Sequence, residues 1–140
     1  MENLILFNFF ISSFMFGLIL TTQIVSYPMF LKAEENFSVY HMSYVNKIST
    51  IAAPLMIIEL FLSLLLVILL QSYFAISIFL IMILIFLSTF FIQVPIHEKL
   101  KNNYNIYLCN KLINTNWIRV FLWLSKCIIS FIMINWNIFI

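Results

Sequence analysis

The sequence predicts an all-α polytopic membrane protein. Residues 1–140 form one integral membrane domain, a four-helix transmembrane bundle with one amphipathic interfacial helix between spans 1 and 2. Three observations lead there. Hydrophobic residues make up 64% of the chain against 9% charged, with a mean hydropathy of +1.10. A globule of this size leaves too much surface wet to hide so much apolar side chain, so the solvent must be lipid. Four apolar stretches reach bilayer length, and six of the seven basic residues fall on one side of the resulting topology.

The first span covers about residues 4–25, roughly 20 apolar residues, which is what a bilayer requires. A cleaved signal peptide would carry a basic start and a small-residue cleavage site. Here the start is Met1-Glu2-Asn3, so the span is expected to be retained. Asn8, Ser12, Thr22, Gln23 and Ser26 lie on one face of a 3.6-residue helix and should look toward other helices. Tyr27-Pro28 is expected to end this helix, because proline disfavours helix in the residue before it.

From Ala33 to Ser49 the residues Phe37, Tyr40, His41, Tyr44, Val45 and Ile48 recur at helical spacing, with Glu35, Ser38, Ser43, Asn46 and Lys47 opposite. This is the amphipathic helix, and His41 sits in its apolar stripe. The second span covers about residues 51–70, with Pro54 expected in its first turn, where a missing N–H costs little. Glu59 lies inside it, and an ionised carboxylate at such depth needs a partner, a cavity or a proton. Gln71-Ser72 leaves room only for a tight hairpin into the third span, about residues 74–92. Gln93-Val94-Pro95 closes that span, with His97 just beyond and a polar segment from Glu98 to Asn116 expected on the membrane surface. Thr115 or Asn116 would cap the fourth span, about residues 117–139. Trp117 is expected at the near interface and Trp136 at the far one. Arg119, Trp123, Lys126, Ser130 and Asn137 share one face.

Lys32, Lys47, Lys99, Lys101, Lys111 and Arg119 belong to the side of the two long connections. The opposite side has no Lys or Arg once the intramembrane Lys126 is set aside. The positive-inside rule then puts both connections in the cytoplasm and both termini outside. At about 1.5 Å per residue, Glu59 lies about 12 Å below Ile51 and Lys126 about 13–14 Å below Trp117. The two charges fall at one level and should pair. Gln23, His41, Gln93, His97 and Arg119 would form a layer above them, making one polar pocket that opens inward.

Charge and cysteine usage exclude some classes. A net charge of +2 with no basic, aromatic-interleaved patch gives no support for nucleic acid. Cys109, expected in the polar loop, and Cys127, in a span, have no CxxC or metal-ligand spacing, so neither a disulfide nor a cysteine metal site is expected.

Several blocks carry a resemblance. Gln23-Ile24-Val25-Ser26-Tyr27-Pro28-Met29-Phe30, Tyr40-His41 and Pro54-Leu55-Met56-Ile57-Ile58-Glu59 occur in order. Gln93-Val94-Pro95-Ile96-His97-Glu98-Lys99-Leu100 and Thr115-Asn116-Trp117-Ile118-Arg119 follow, with Trp123 after them. Together these resemble a family of small bacterial four-span membrane proteins without an assigned activity, and the resemblance runs from Gln23 to Lys126. More distantly, the plan is similar to the anthrone oxygenase-like membrane family, whose members oxidise polycyclic aromatics without a known cofactor. His97 stands where that pattern has asparagine. Lys126 stands where the closer family commonly has arginine, which keeps the charge but loses bidentate geometry.

The resemblance and the residues together imply a small membrane oxidoreductase or oxygenase acting on a hydrophobic small molecule, a lipid-soluble ring compound. His97 or His41 would act as general base. Arg119 and Lys126 would stabilise a phenolate or enolate, and Glu59 would hold the cation or relay a proton. Gln23, Tyr27, Gln93, Asn116, Trp117 and Trp123 would bind the substrate. Other readings stand beside this one. His41, His97 and Glu59 could ligate a metal, or the two histidines a haem. The chain could be a small transporter or proton path, or a non-catalytic subunit or assembly factor bound to a protein partner in a membrane complex. No cofactor is named by the sequence.

Overall fold

A computed structural model describes residues 2–33 and 35–138, the side chains of the last three excepted. Four long helices run through it: Glu2–Phe30, Phe37–Leu70, Tyr73–Leu100 and Ile106–Ile138. Each is long and apolar enough to cross a membrane, so the chain is an integral membrane protein of all-α architecture. The fourth helix packs most closely against the first and third, and the second against the third and first. The second and fourth helices thus stand on a diagonal.

Local chemistry explains the ends. Gln71 ends the second helix in the left-handed conformation (φ 47°), and Ser72 caps the third by accepting from the Ala75 N–H at 3.3 Å. The expected hairpin is therefore two residues long. Outward faces carry large apolar side chains such as Phe10, Phe61 and Phe91 (65–76% exposed for the last two), as lipid contact requires. Inside, three apolar layers stack along the bundle. Ile5, Leu66, Ile78 and Met133 fill the hairpin end; Met15, Ile19, Met56, Met82 and Trp123 the middle; Phe30, Phe37, Leu100 and Leu112 the connection end.

Four local expectations are corrected. The amphipathic stretch is not a separate interfacial helix, because residues 37–70 run as one unbroken helix. Pro54 consequently lies deep in a helix interior, where it deprives the Thr50 carbonyl of its intrahelical donor. The polar segment before Trp117 is not a surface loop. The fourth helix starts at Ile106, so Thr115 and Asn116 lie within it and cap nothing, and Cys109 is helical and buried. Lastly, Tyr27-Pro28 does not stop the first helix.

That last point has a structural cause. Residues Thr22–Ser26 form a π-helical turn, in which the Tyr27 N–H reaches back to the Thr22 carbonyl. The wider turn relieves the clash between a proline ring and the carbonyl four residues earlier. The third helix repeats the device: Thr89–Gln93 is π-helical, the Val94 N–H bonds to the Thr89 carbonyl, and Pro95 follows. Both π turns open with a threonine that bonds back to the carbonyl four residues earlier, Thr22 to Leu18 (2.9 Å) and Thr89 to Ile85 (2.8 Å). The two turns lie 67 positions apart, the same separation as Glu59 and Lys126. The chain thus repeats one plan twice, a π-broken helix followed by a long unbroken one. Trp136 and Asn137, expected at the far interface and on the polar face, have side chains outside the described residues.

Candidate functional site

The buried polar groups gather at two levels rather than in one pocket. The deeper level joins Asn8 and Ser12 of the first helix, Glu59 of the second, and Lys126 and Ser130 of the fourth, all fully buried. Glu59 and Lys126 form a salt bridge across the diagonal, as their equal depth predicts. Glu59 also accepts from Asn8 (3.1 Å) and Ser12 (3.0 Å). Lys126 donates to Ser12 (2.9 Å) and Asn8 (3.5 Å), and Ser130 donates to Asn8 (3.2 Å). Asn8 and Ser12, which lie on the polar stripe of the first span, are the partners that sequence reasoning did not assign to this pair.

The second level lies at the connection end. Each π turn turns a glutamine inward. Gln23 donates to the Ile113 carbonyl (3.1 Å) and accepts from Asn116 (2.9 Å), while Gln93 donates to Thr115 (3.2 Å). Asn116 also accepts from Arg119 (3.4 Å). Arg119 lies against the Tyr27 phenol. From there a file of hydrogen bonds runs outward: the Tyr27 hydroxyl meets His97 Nε2 at 3.1 Å, and His97 Nδ1 meets His41 Nε2 at 2.9 Å. The two imidazoles stack with centroids 5.2 Å apart, and Phe37 stacks on His41 at 5.3 Å.

Donor arithmetic orients this file. Arginine has no acceptor, so Arg119 can only donate toward the Tyr27 oxygen; that oxygen still either gives its O–H to His97 Nε2 or accepts from it. In the first arrangement His97 carries its proton on Nδ1 and donates to His41 Nε2. His41 keeps its proton on Nδ1, an atom that is buried without a partner. The direction of the Tyr27–His97 hydrogen bond thus sets the protons of both imidazoles.

Beside the file is a cavity of about 330 Å³. It exists because the second and third helices pack closely along Tyr73–Ser88 and part beyond it. Its polar end is formed by Tyr27, Tyr44, Gln93, His97 and Arg119, and its floor by Ile19, Met56 and Phe86. Two residues that line it, Arg119 and Gln93, each carry a buried side-chain atom, Nε and Oε1, without a hydrogen-bond partner. Buried unpaired groups of this kind are costly and call for an explanation such as a ligand.

The predicted residues divide accordingly. Tyr27, Gln93, His97 and Arg119 line the cavity; His41 stands behind His97, and Gln23 and Asn116 brace the wall. Glu59 and Lys126 are not in it. Trp123 is fully buried in the mid-bundle core, 5.7 Å from the Lys126 ammonium. Trp117 is 40% exposed, lies tilted against Phe121 and is off the cavity. Residues missed by sequence reasoning are Tyr44, which donates to Thr22 (3.2 Å), and the small trio Ser49, Ala52 and Ala53, whose lack of bulk leaves the space open. A run of small residues on an otherwise bulky helix was the available signal.

The arrangement bears on the metal reading. Glu59 is committed elsewhere, and among the described residues no group of three or more His, Cys, Asp or Glu converges. Two metal–nitrogen bonds of about 2 Å laid end to end, as the two axial ligands of a haem are, need about 4 Å. The facing imidazole nitrogens stand 2.9 Å apart and bond directly to each other. No family model matches the chain, and no curated protein or solved structure is significantly similar to it.

Proposed function

We propose that the protein is a small membrane enzyme that binds a lipid-soluble ring compound by an acidic hydroxyl and removes its proton. This is the opening step of an oxidoreductase or, with dioxygen as co-reactant, an oxygenase reaction. The observation that carries the reading is the pair of unpartnered buried atoms, Arg119 Nε and Gln93 Oε1, on side chains that line a cavity together with Tyr27 and His97. A ring hydroxyl satisfies both kinds of group: its oxygen accepts from Arg119, and its hydrogen is given up toward Tyr27 or Gln93.

The proton has a route. The substrate O–H breaks as the Tyr27 O–H re-forms; Tyr27 passes its own proton to His97 Nε2, and His97 Nδ1 passes one to His41 Nε2. His41 ends doubly protonated and the substrate ends as a phenolate beside Arg119. Glu59 and Lys126 take no part in this scheme; they hold the bundle that presents the wall. In this reading both long connections are cytoplasmic, as the basic residues on that side favour, and the polar end of the cavity faces the inner leaflet.

The test uses 2-naphthol, a lipid-soluble photoacid, with protein in nanodiscs. Wild type is expected to bind it saturably and to give naphtholate emission on excitation. His97→Phe should bind it but emit as neutral naphthol, and Arg119→Gln should bind it at least tenfold more weakly. Absence of saturable binding, or emission that ignores His97, would remove the reading. Cysteine labelling at Lys32 and at Gln71 from each side of sealed vesicles checks the orientation.

A further inference from the structure

The cavity opens sideways, and its mouth says more about the occupant than its polar end does. Two rows of residues at i, i+4 spacing edge it. Ser49, Ala53 and Ile57 lie on the second helix, and Phe90, Val94 and Glu98 on the third; all six are exposed. Each row runs over nine residues, about 12 Å of helix. Ile57, Phe90 and Val94 are 50%, 55% and 38% exposed and lie within membrane-spanning helices, so that part of the mouth meets acyl chains. Ser49 and Ala53 put no bulk across it. Behind the mouth the way is shut, because Tyr27, Gln93 and Arg119 are buried against the first and fourth helices.

Polarity is graded along the slot. Glu98, His97 and Tyr44 stand toward the connection end, and Met56, Ile57 and Phe86 toward the middle of the bundle. A molecule lying head-up and tail-down in one leaflet already has this orientation. At about 330 Å³ the cavity is at the small end of ligand pockets, enough for a ring but not for a long chain as well. Anything attached to the ring must leave through the mouth, at a depth where only apolar groups are tolerated.

We propose that the occupant is a ring amphiphile: a hydroxylated ring held at the polar end, carrying a long apolar tail that passes between Ala53 and Phe90 into the bilayer. This rests on the reading of the cavity as a site for a ring hydroxyl and adds the tail, the lateral entry and the leaflet. It also gives the parted helices a purpose, since a tail that never leaves lipid needs no gate.

The experiment compares 2-naphthol with 4-dodecylphenol and with its methyl ether, each dosed by mole fraction of nanodisc lipid so that simple partitioning cancels. On that scale 4-dodecylphenol is expected to displace 2-naphthol at least tenfold more effectively than 4-ethylphenol, and the methyl ether should not displace it. Ala53→Trp, which puts bulk into the mouth between the second and third helices, should weaken 4-dodecylphenol binding at least tenfold more than it weakens 2-naphthol binding. A dodecylphenol with a diazirine in its tail should label the second and third helices near Ile57 and Phe90. Equal displacement by tailed and untailed phenols, or labelling away from the mouth, overturns the tail while 2-naphthol binding keeps the ring site. Displacement by anionic phospholipid alone assigns the slot to lipid and overturns the proposal. If 2-naphthol does not bind, or labelling ignores the hydroxyl, the ring site falls and the tail with it.

Discussion

The two buried polar levels are finished differently. In the deeper one every hydrogen-bonding side-chain atom of Asn8, Ser12, Glu59, Lys126 and Ser130 has a partner, and only the indole Nε1 of Trp123 beside them has none. The three protons of the Lys126 ammonium match three acceptors on Glu59, Ser12 and Asn8, and the Asn8 and Ser130 groups close the rest. In the upper one, His41 Nδ1, Arg119 Nε and Gln93 Oε1 are left over. A closed network makes a core unique and rigid; leftover capacity in a buried network is tolerated where it is used. The comparison separates structural polarity from functional polarity although both consist of charged and amide side chains on the same four helices.

The largest effect should come from opening the closed level. Lys126→Met or Glu59→Gln alone strands a buried charge, and each should lower stability by about 3–5 kcal/mol in denaturant titrations in mixed micelles. The double variant Glu59→Leu with Lys126→Met should regain most of that loss, since no charge is left uncompensated. It should also bind 2-naphthol as wild type does. A double variant that folds but has lost binding would merge the two levels into one site.

The upper level should behave in the opposite way, with small effects on folding and clear ones on protons. Tyr27→Phe removes the one group joining Arg119 to His97, at a stability cost of about 1 kcal/mol. Without the tyrosine proton nothing reserves His97 Nε2 as an acceptor. Nitrogen-15 NMR of labelled histidine should therefore move from one defined Nδ1–H tautomer at His97 and at His41 to a mixture at both. If only His97 changes, the two imidazoles are not coupled in the way their 2.9 Å contact implies.

What could be read in advance follows the same division. The Glu59–Lys126 pair was legible because charge inside a span leaves few ways out and depth is simple arithmetic. The stripe from Asn8 to Gln23 was legible for a similar reason. The continuity of the second and fourth helices was not. Polarity reports what a segment is bathed in, and a helix leaving the membrane turns polar just as a loop does. Residues 106–116 therefore looked like connection. Nor were the π turns legible, since a proline is a local stop signal, and the same two-residue lead before Pro28 and Pro95 is disguised by otherwise unlike residues. The joining of His41 to His97 depends on how two helices lean, which no single stretch records.

Trp117 offers the smallest effect and the finest check on where the upper level ends. By sequence it stands two residues before Arg119, which made it a candidate wall of the slot. On a helix two residues are about 200° apart, so the neighbours face nearly opposite ways. Arg119 is 6% exposed and Trp117 40%, its ring against Phe121, in the position of an interfacial anchor. Trp117→Phe keeps an aromatic surface there and loses only the indole N–H. It should change stability by less than about 0.5 kcal/mol and leave 2-naphthol affinity within twofold in the same nanodisc titration. A tenfold loss from this substitution would mean that the fourth helix is rotated from the orientation in which Arg119, Trp123 and Lys126 all point inward, and the separation of the two levels would fail with it.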